Sequence, residues 1–339
     1  MSVAKRWTHF IFHMVKLIYG LITYSVFRRT PPFSYQSMIS LFCITNGHSS
    51  DALSSVIGFL KRPYNFCDEI GVLGGAAERD EAVFVLKDRG YYVFRNRLPA
   101  ELCDQLLHYA TSHPCETRPM DGDDLGRPKL VTYPREAPQA VCYDFATQDL
   151  LKNSYIQNLL ADMSFAAVAQ EYLGCRPVID VLTMWWQTRF SDKPDMAAAQ
   201  FYHFDMDRPK WLKFFIYLTD VESGNGPHTF IAGSHKSCGI PSSILRKGYA
   251  RLTDQEIAGF YNRDDIIEFT APRGTIIAED TRGLHKGKCV EQGDRLILQI
   301  QFSNLLFGSY SPKARIGQDV PENLKIKITR FQKLYSAYL

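Results

Sequence analysis

The residue pattern changes at Gly174, and this change limits what the chain can fold into more than any other feature. Before Gly174, apolar residues mostly recur at helical spacing, whereas after it short β-rich runs alternate with glycine- and proline-containing turns. The β-rich runs cover residues 178–190, 212–219, 228–232, 265–270, 275–279 and 295–303. Several short strands at this spacing are typical of a β-sandwich or barrel. Because the helices precede the strands and do not alternate with them, we predict the α+β class and not a doubly wound sheet.

The part of the chain before Gly174 shows several separate helical patterns. They predict short helices and loops over residues 30–75, one or two helical turns over 81–87, an amphipathic helix beginning at 98–101, and more helix over 150–173. A β-rich run, residues 91–94, interrupts this part, and a basic, partly helical tail ends the chain. We predict three parts: an N-terminal helical extension over 1–75, a main domain over 76–310, and a C-terminal tail over 311–339.

Charge and cysteine content exclude some classes of protein. The formal net charge of +3 over 339 residues is too small to indicate a nucleic-acid partner. Basic residues are nevertheless concentrated near the start, since no carboxylate precedes Asp51. The eight cysteines are scattered and show neither CxxC nor another metal-binding spacing. We therefore expect reduced, mostly buried thiols and a cytoplasmic location.

Residues 7–27 are long and apolar enough to suggest a membrane span, but His13 and Lys16 lie inside the stretch, where charge is costly in lipid. On a helix, five residues form one narrow polar stripe opposite a broad apolar face: His9, His13, Lys16, Gly20 and Thr23. A signal peptide is disfavoured because Arg28–Arg29 follows where small residues are required. Three interpretations stay open: the apolar face packs on the main domain or a second subunit, it lies at a membrane interface, or the helix spans the membrane.

The segment FYHFDMD contains a histidine and a carboxylate two positions apart. In an extended chain, residues two apart point to the same side, so His203 and Asp205 project together. Iron(II) oxygenases hold their metal with two histidines and one carboxylate on one face, which leaves the other positions open. His285, shortly after the β-rich run TIIAED, is the candidate third ligand. An isolated HxD pair is a weak signal, and the alternative is a surface pair beside the turn at residues 207–209.

Arg295 begins the otherwise apolar run LILQI. A buried guanidinium needs a carboxylate partner, since leaving it unpaired is costly. Its planar fork suits one end of a dicarboxylate. The alternative is a strand-end arginine in water, which would be the better interpretation without the neighbouring histidines and aspartate.

Residues 88–305 resemble the phytanoyl-CoA dioxygenase (PhyH-like) family. The similarity begins at RGYYVFRNRLPAELCDQL, and its most specific part is LTDVESGNGPHTFIAGSH. Ala232 stands where the family usually has proline, whereas Asn225–Gly226 and residues 233–235 match. The resemblance implies a double-stranded β-helix (jelly-roll) core flanked by helices, with iron(II) as cofactor and 2-oxoglutarate and dioxygen as cosubstrates.

The resemblance also implies roles for individual residues. Three of them match the metal ligands of the family: His203, Asp205 and His285. Arg295 matches its 2-oxoglutarate anchor, and Gln187 and Phe215 are further candidates for contacts with the cosubstrate. Halogenating relatives lack the carboxylate ligand, so Asp205 favours hydroxylation. His228 and His235 are interpreted as structural, because three protein ligands suffice.

The substrate and two rival functions stay open. The rivals are a non-catalytic jelly-roll binding module and a zinc-dependent hydrolase on the same fold, although hydrolase sites of that kind typically carry HxH and a later glutamate. We expect a small-molecule or lipid-linked substrate (a sugar or acyl conjugate), reached by peripheral contact of residues 7–27 with the inner face of a membrane; an oligomer is not excluded. Seven residues are candidates for an entrance that accepts a polar or anionic group, or for its rim: Trp185, Trp186, Arg189, Tyr202, Arg208, Lys210 and Trp211.

Overall fold

The computed structural model describes residues 3–66, 70–120, 127–309 and 313–339. The helices, in chain order, are α1 (Val3–Phe27), α2 (Pro32–Ile44), α3 (His48–Leu60), α4 (Ala76–Arg89), α5 (Ala100–Ser112), α6 (Thr147–Leu150), α7 (Ser154–Ala161), α8 (Met163–Leu173), α9 (Ser242–Leu245), α10 (Asp254–Ala258) and α11 (Glu322–Arg330). The strands are β1 (Tyr91–Arg97), β2 (Pro114–Thr117), β3 (Leu130–Thr132), β4 (Cys142–Asp144), β5 (Val178–Thr188), β6 (Trp211–Tyr217), β7 (His228–Ile231), β8 (Ile266–Glu268), β9 (Thr275–Glu279), β10 (His285–Gly287) and β11 (Asp294–Ser303).

Local capping explains where the helices before Gly174 begin and end. The Asn153 side chain accepts hydrogen bonds from the first N–H groups of α7, and the Asp162 side chain does the same for α8. The single helical pattern predicted over residues 150–173 is therefore two separate helices, α7 and α8, preceded by the short helix α6, which ends at Leu150. α8 ends at Gly174, whose φ of 72° is the left-handed conformation that glycine adopts without strain.

The strands form two antiparallel sheets. An eight-stranded sheet has the order β1-β9-β6-β11-β5-β4-β2-β3, and a three-stranded sheet has the order β10-β7-β8. The strands predicted after Gly174 are all present, and their ends lie within two residues of the predicted ones. β1 contains the β-rich run predicted at residues 91–94. The prediction that the other strands follow the helices is wrong for β2 to β4, which precede Gly174; β1 extends the large sheet at one edge and β2 to β4 at the other. The runs of β2 to β4, three or four residues long, carry little pattern of their own, and partners distant in sequence decide their pairing.

Alternation along β11 separates the core from the site. Leu296 and Leu298 belong to the main hydrophobic core, on the face of the sheet that the helices cover. Arg295 and Ile297 point to the opposite face, and Ile297 packs with Phe230 of the smaller sheet. Two antiparallel sheets facing each other with helices outside confirm the predicted α+β class with a jelly-roll core.

The terminal segments pack on this core. Leu334 and Tyr335, within the predicted tail, are fully buried in the main cluster, and the Leu334 carbonyl accepts a hydrogen bond from Ile179 N–H. The predicted boundary at residue 310 lies outside the described residues, and the three-part division stays a prediction. The seven described cysteines are free thiols, and Cys67 lies outside the described residues.

α1 packs on α2 through its predicted polar stripe. His13 Nδ1 lies 3.1 Å from Ser37 Oγ, and Gly20 packs so closely on Ser34 that no Cβ would fit there. Much of the apolar side is exposed: Trp7, Ile11, Phe12, Val15, Ile22, Val26 and Phe27 are each more than half accessible. Packing on the main domain therefore accounts for one side of the helix only. Within the described residues, one helical segment, Trp7–Phe27, is long and apolar enough to cross a membrane.

Candidate metal centre

The two histidines and the aspartate of the predicted triad lie together. His203 lies outside the named strands, but it forms an isolated antiparallel bridge with His285 on β10, with backbone hydrogen bonds of 3.0 and 2.9 Å. His203 Nε2 lies 3.8 Å from Asp205 Oδ1, and His285 Nε2 lies 3.4 Å from Asp205 Oδ2. The three potential ligand atoms are all within 4.8 Å of one another.

Backbone carbonyls fix the orientation of both imidazoles. His203 Nδ1 lies 2.9 Å from the Phe201 carbonyl, and His285 Nδ1 lies 3.0 Å from the Gly283 carbonyl. A carbonyl only accepts hydrogen bonds, so the proton of each neutral ring is assigned to Nδ1. Both Nε2 lone pairs then face Asp205, as in metal-binding histidines whose other nitrogen is held by an outer partner. The residues present therefore fit a divalent metal ion.

Burial and mutual charge govern titration at the centre. Burial and the adjacent His285 hold the pKa of His203 well below its ordinary value. Burial also opposes protonation of His285, but the Asp205 carboxylate outweighs it and raises the pKa of His285. Burial would raise the pKa of Asp205, yet Lys213 and His285 hold it well below the usual range. One ionised carboxylate thus faces two imidazoles, which is a donor set suited to a cation.

Lys213, which the sequence interpretation missed, is the nearest charged neighbour of the triad. Its Nζ lies 2.6 Å from Asp205 Oδ2 and 3.7 Å from Asp207 Oδ2. Burial opposes its charge, but the two aspartates raise the pKa of Lys213. The ammonium fixes one oxygen of Asp205 and leaves Oδ1 for a metal. Alternation in the strand WLKFFIY was the available signal, because it places Lys213 on the same face as Phe215.

A buried histidine and glutamate lie beside the triad. His228 Nε2 is 3.0 Å from the Glu279 carboxyl, and the His228 ring centroid is 5.6 Å from that of His285. Burial raises the pKa of Glu279 to about 8. Burial and the neighbouring His285 and Arg295 hold the pKa of His228 well below its usual value. The two groups therefore share a proton without net charge near neutral pH, and this contact agrees with the structural interpretation of His228.

Arg295, Gln187 and Gly287 meet at the other end of the inter-sheet space. Arg295 on β11 pairs in register with Gln187 on β5. A Cβ added at Gly287 would lie 3.1 Å from Gln187 Nε2 and 3.2 Å from the nearest Arg295 nitrogen, so the absence of a side chain there keeps the space open. The Arg295 guanidinium donates to the Gly226 carbonyl and contacts Tyr217.

Two buried polar atoms in this group have no hydrogen-bond partner: Arg295 Nε and Gln187 Oε1. Arg295 is 1% exposed, and it forms no ion pair with an aspartate or glutamate anywhere in the described residues. Burial lowers the pKa of Arg295, because desolvation disfavours the charged form. A guanidinium stays protonated in proteins all the same. An uncompensated buried cation fits one carboxylate of a dicarboxylic acid.

Phe215, the third candidate for cosubstrate contact, lies on β6 facing the smaller sheet. Its ring is 4.7 Å from that of His228, and it belongs to the apolar cluster between the two sheets. Its register partner on β11 is Gln299. Phe215 is therefore an apolar wall between the sheets, and its role toward a cosubstrate stays a prediction.

The predicted entrance is wrong as a set, because strand alternation sends its members to different places. Trp186 is fully buried on the helix-covered face, and its indole N–H donates to the Ala110 carbonyl. Trp211 is equally buried, with its indole N–H on Thr281 Oγ1. The Arg208 side chain forms a buried ion pair with Asp180, at 2.7 Å. Neighbours in sequence point to opposite faces of a strand, so a run of polar and aromatic residues does not form one rim.

Comparison with solved structures finds proteins of related architecture at low identity. EctD from S. alaskensis with bound Fe is 19% identical, with a TM-score of 0.47, covering 77% of this chain and 92% of that one. The epimerase SnoN in complex with Fe3+, alpha ketoglutarate and nogalamycin RO is 17% identical, with a TM-score of 0.46, covering 73% and 91%. HygX from Streptomyces hygroscopicus with nickel and 2-oxoglutarate bound is 15% identical, with a TM-score of 0.42, covering 71% and 94%. At these scores the likeness carries no argument of its own.

Comparison with family models is more informative. The model described as phytanoyl-CoA dioxygenase (PhyH) matches residues 86–287, which is more than half of the chain and contains the whole triad. The comparison with curated proteins gives no match. The enzymes of the matched family use iron(II), 2-oxoglutarate and dioxygen, and the fold and the donor set agree with that chemistry. The chain belongs to the phytanoyl-CoA dioxygenase (PhyH) family and is an oxygenase of the iron(II)- and 2-oxoglutarate-dependent type.

Proposed function

We propose that the protein hydroxylates a small amphiphilic molecule, with iron(II) bound by His203, Asp205 and His285. The observation that carries this proposal is the convergence of two Nε2 atoms and one carboxylate within 4.8 Å. The carbonyls that hold both Nδ1 atoms support it further, since they present the free nitrogens to one point. Family members with this chemistry usually hydroxylate, and the Asp205 carboxylate is the ligand that halogenating relatives lack.

We further propose that Arg295 binds the distal carboxylate of 2-oxoglutarate, with Gln187 beside it. The missing carboxylate partner of Arg295 and the unpartnered Oε1 of Gln187 support this assignment. A bidentate guanidinium–carboxylate contact would compensate the buried charge. Gly287 leaves room for the ligand, and Phe215 would form the apolar wall of its site.

When bound, iron(II) with 2-oxoglutarate and dioxygen supplies the oxidation of a substrate C–H bond. The residues of the chain bind the metal and the cosubstrate, orient the metal ligands and exclude water. Lys213 holds one oxygen of Asp205 at 2.6 Å and so fixes the rotation of the carboxylate. The apolar cluster that contains Phe215, Phe230 and Ile297 excludes water between the sheets.

The exposed side of α1 supports peripheral contact with the inner face of a membrane. Its outward residues are bulky and apolar, and Arg28–Arg29 follow at its end, as expected for a helix that lies in an anionic interface. A substrate that shares this interface would be lipid-linked or otherwise amphiphilic. We therefore propose a cytoplasmic enzyme that acts at a membrane surface.

Iron reconstitution tests the metal assignment. We expect stoichiometric iron(II) uptake without dioxygen, and succinate release from 2-oxoglutarate only when iron and dioxygen are both present. Asp205→Ala should lose both properties, whereas Asp192→Ala, an exposed carboxylate, should keep them. Substoichiometric iron without binding of 2-oxoglutarate would instead indicate a binding module. Turnover supported by zinc without dioxygen would indicate a hydrolase.

Vesicle sedimentation tests the membrane assignment without removing a packed helix. The variant Ile11→Ser/Ile18→Ser/Ile22→Ser changes only exposed positions of α1. It should lose sedimentation with anionic vesicles. Phe59→Ser, which alters an 89% exposed aromatic on α3, should sediment like the wild type. Equal sedimentation of all three proteins would contradict membrane contact through α1. Succinate release with fractionated lipid extracts would then narrow the substrate class.

A further inference from the structure

A large cavity lies at the C-terminal end of α1, where α1, the beginning of α2 and the C-terminal segment meet. Its volume is about 1310 Å³. Apart from Arg208, six of its lining residues are cationic: Arg28, Arg29, Lys61, Arg176, Lys313 and Lys333. No aspartate or glutamate is among its described lining residues. The basic character follows from the fold, because these residues come from four distant parts of the chain.

Most of the cations in this cavity have no carboxylate partner among the described residues. Arg208 has a carboxylate partner in Asp180. Across residues 3–66, 70–120, 127–309 and 313–339, no ion pair joins any of the other six cations to a carboxylate. Lys61 Nζ donates to the Asn304 carbonyl at 2.5 Å, and the buried Nε of Arg176 has no partner. Like charges gathered in one concave space raise its potential and attract an anion.

The uncompensated positive charge affects the pKa of Lys61. Burial and the cations Arg176, Lys333 and Arg28 lower the pKa of Lys61 to about 8. A bound anion would oppose all of these effects except the burial. Neutral residues with hydroxyl groups also line the space, among them Thr30 and Ser309. Arginine forks, ammonium groups and hydroxyls together are the donor set that proteins use for phosphate oxygens.

The place of the cavity points to an amphiphilic ligand. Arg28 and Arg29 stand directly after Val26 and Phe27, which are 65% and 68% exposed at the end of the apolar side of α1. An apolar surface therefore runs straight into the mouth of a basic cavity. Tyr35 lines the cavity and packs against the apolar cluster that contains Phe204, the residue between His203 and Asp205. The cavity is thus a neighbour of the metal centre.

We propose that this cavity is a binding site for a phosphate-bearing anion, with the phosphate held by Lys61, Arg176 and Lys333. The same chemistry is found in the headgroup of an anionic lipid and in a soluble phosphate ester. A lipid headgroup would seat the end of α1 on the membrane, and a soluble phosphate would bind without it.

Inorganic pyrophosphate is the probe for the shared chemistry. We expect calorimetric binding to the full-length protein and an increase in its melting temperature. Arg176→Gln/Lys333→Gln should weaken binding about tenfold or more, since each change removes a charge-assisted contact. Lys313→Gln, an exposed position on the rim, is a second variant that should fold normally and bind more weakly. Lys325→Gln, an exposed lysine on α11 outside the cavity, is the matched control and should bind like the wild type.

Vesicles separate the two sources. Phosphatidylcholine vesicles with phosphatidic acid should sediment the wild type more than pure phosphatidylcholine vesicles, and Arg176→Gln/Lys333→Gln should reduce the difference. Pyrophosphate binding without any such vesicle effect would support a soluble phosphate ligand. No pyrophosphate binding, or equal binding by the cavity variants and Lys325→Gln, would overturn the proposal. Neither outcome depends on iron, so the hydroxylase assignment is tested separately.

Discussion

Two arginines, each 1% exposed, lie near opposite ends of β5 and have contrasting surroundings: Arg295 is in register with Gln187, and Arg208 contacts Asp180. Arg208 meets the Asp180 carboxylate at 2.7 Å and also donates to the Ser309 carbonyl. Arg295 meets a backbone carbonyl and a tyrosine, and no described carboxylate. The same residue type is thus buried once with its counter-charge and once without it.

The difference separates a structural ion pair from the arginine that we propose as a binding group. Burial raises the pKa of Asp180 even beside Arg208, as expected where desolvation outweighs attraction. Such a pair adds little net stability, but removal of one partner leaves a buried charge uncompensated. Arg295 is in that uncompensated state already. A protein retains such a cost most readily where a ligand supplies the missing charge.

Removal of the Asp180 carboxylate, which pairs with Arg208, should have the greatest effect on stability. Asp180→Ala should lower the free energy of unfolding by about 3–5 kcal/mol, because Arg208 stays buried without its partner. Urea denaturation measures the effect. The matched double variant Asp180→Leu/Arg208→Met should recover much of the loss. An Asp180→Ala protein as stable as the wild type would show that Arg208 does not depend on this pair.

Replacement of Arg295, which has no described carboxylate partner, should weaken 2-oxoglutarate binding without lowering the stability of the fold. Arg295→Met should weaken 2-oxoglutarate binding by about 1.5–3 kcal/mol, the value of a hydrogen-bonded charged contact. The ligand-free variant should be as stable as the wild type or more stable, since an uncompensated charge is removed. Calorimetric titration and thermal melting give the two quantities. A loss of stability equal to that of Asp180→Ala would make Arg295 structural and break the contrast.

A second buried arginine with a carboxylate partner, Arg282, should make stability depend on pH. Burial opposes ionisation of Asp280, but Arg282, 2.7 Å away, lowers the pKa of Asp280 from 3.8 to about 2. Because the pKa of Asp280 is lower in the folded than in the unfolded protein, the ionised carboxylate stabilises the fold above about pH 4. This stabilisation is lost as the pH falls toward 2. The contribution is about 2 kcal/mol. The stability difference between the wild type and Asp280→Asn should therefore shrink by that amount between pH 4 and 2; a constant difference would refute the assignment.

The smallest effect concerns the space in front of Arg295. Gly287→Ala places a methyl group 3.1–3.2 Å from Gln187 and Arg295, so these side chains must shift slightly. We expect 2-oxoglutarate binding to weaken by about 1 kcal/mol, the lower end of overpacking costs. Gly317→Ala, where nothing lies within 4 Å, is the control and should bind normally. Unchanged binding by Gly287→Ala would place the cosubstrate elsewhere.

Features that depend on the local repeat of apolar residues and on residue chemistry could be predicted from the sequence alone. The HxD spacing in extended chain predicted that His203 and Asp205 project together, although neither lies in a named strand, and the β-rich runs after Gly174 located the strands that carry Gln187, Phe215 and Arg295. The positions needed only the two-residue repeat of extended chain and the preference of iron(II) for imidazole and carboxylate, whereas the roles predicted for Gln187, Phe215 and Arg295 came from the family resemblance. The α+β class followed from the order of helices and strands.

Tertiary structure decided what depends on partners distant in sequence. β4 pairs with β5, and β2 and β3 follow outward from it, so the strand conformation of β2 to β4 came from tertiary pairing. Lys213 reached Asp205 only when β6 and the HxD segment folded together. Three further features depend on chain segments that no local pattern connects. They are the carboxylate partner of a buried arginine, the covered side of α1, and the cavity that six basic residues share. Local period fixes the direction of a side chain, but long-range packing decides what it meets.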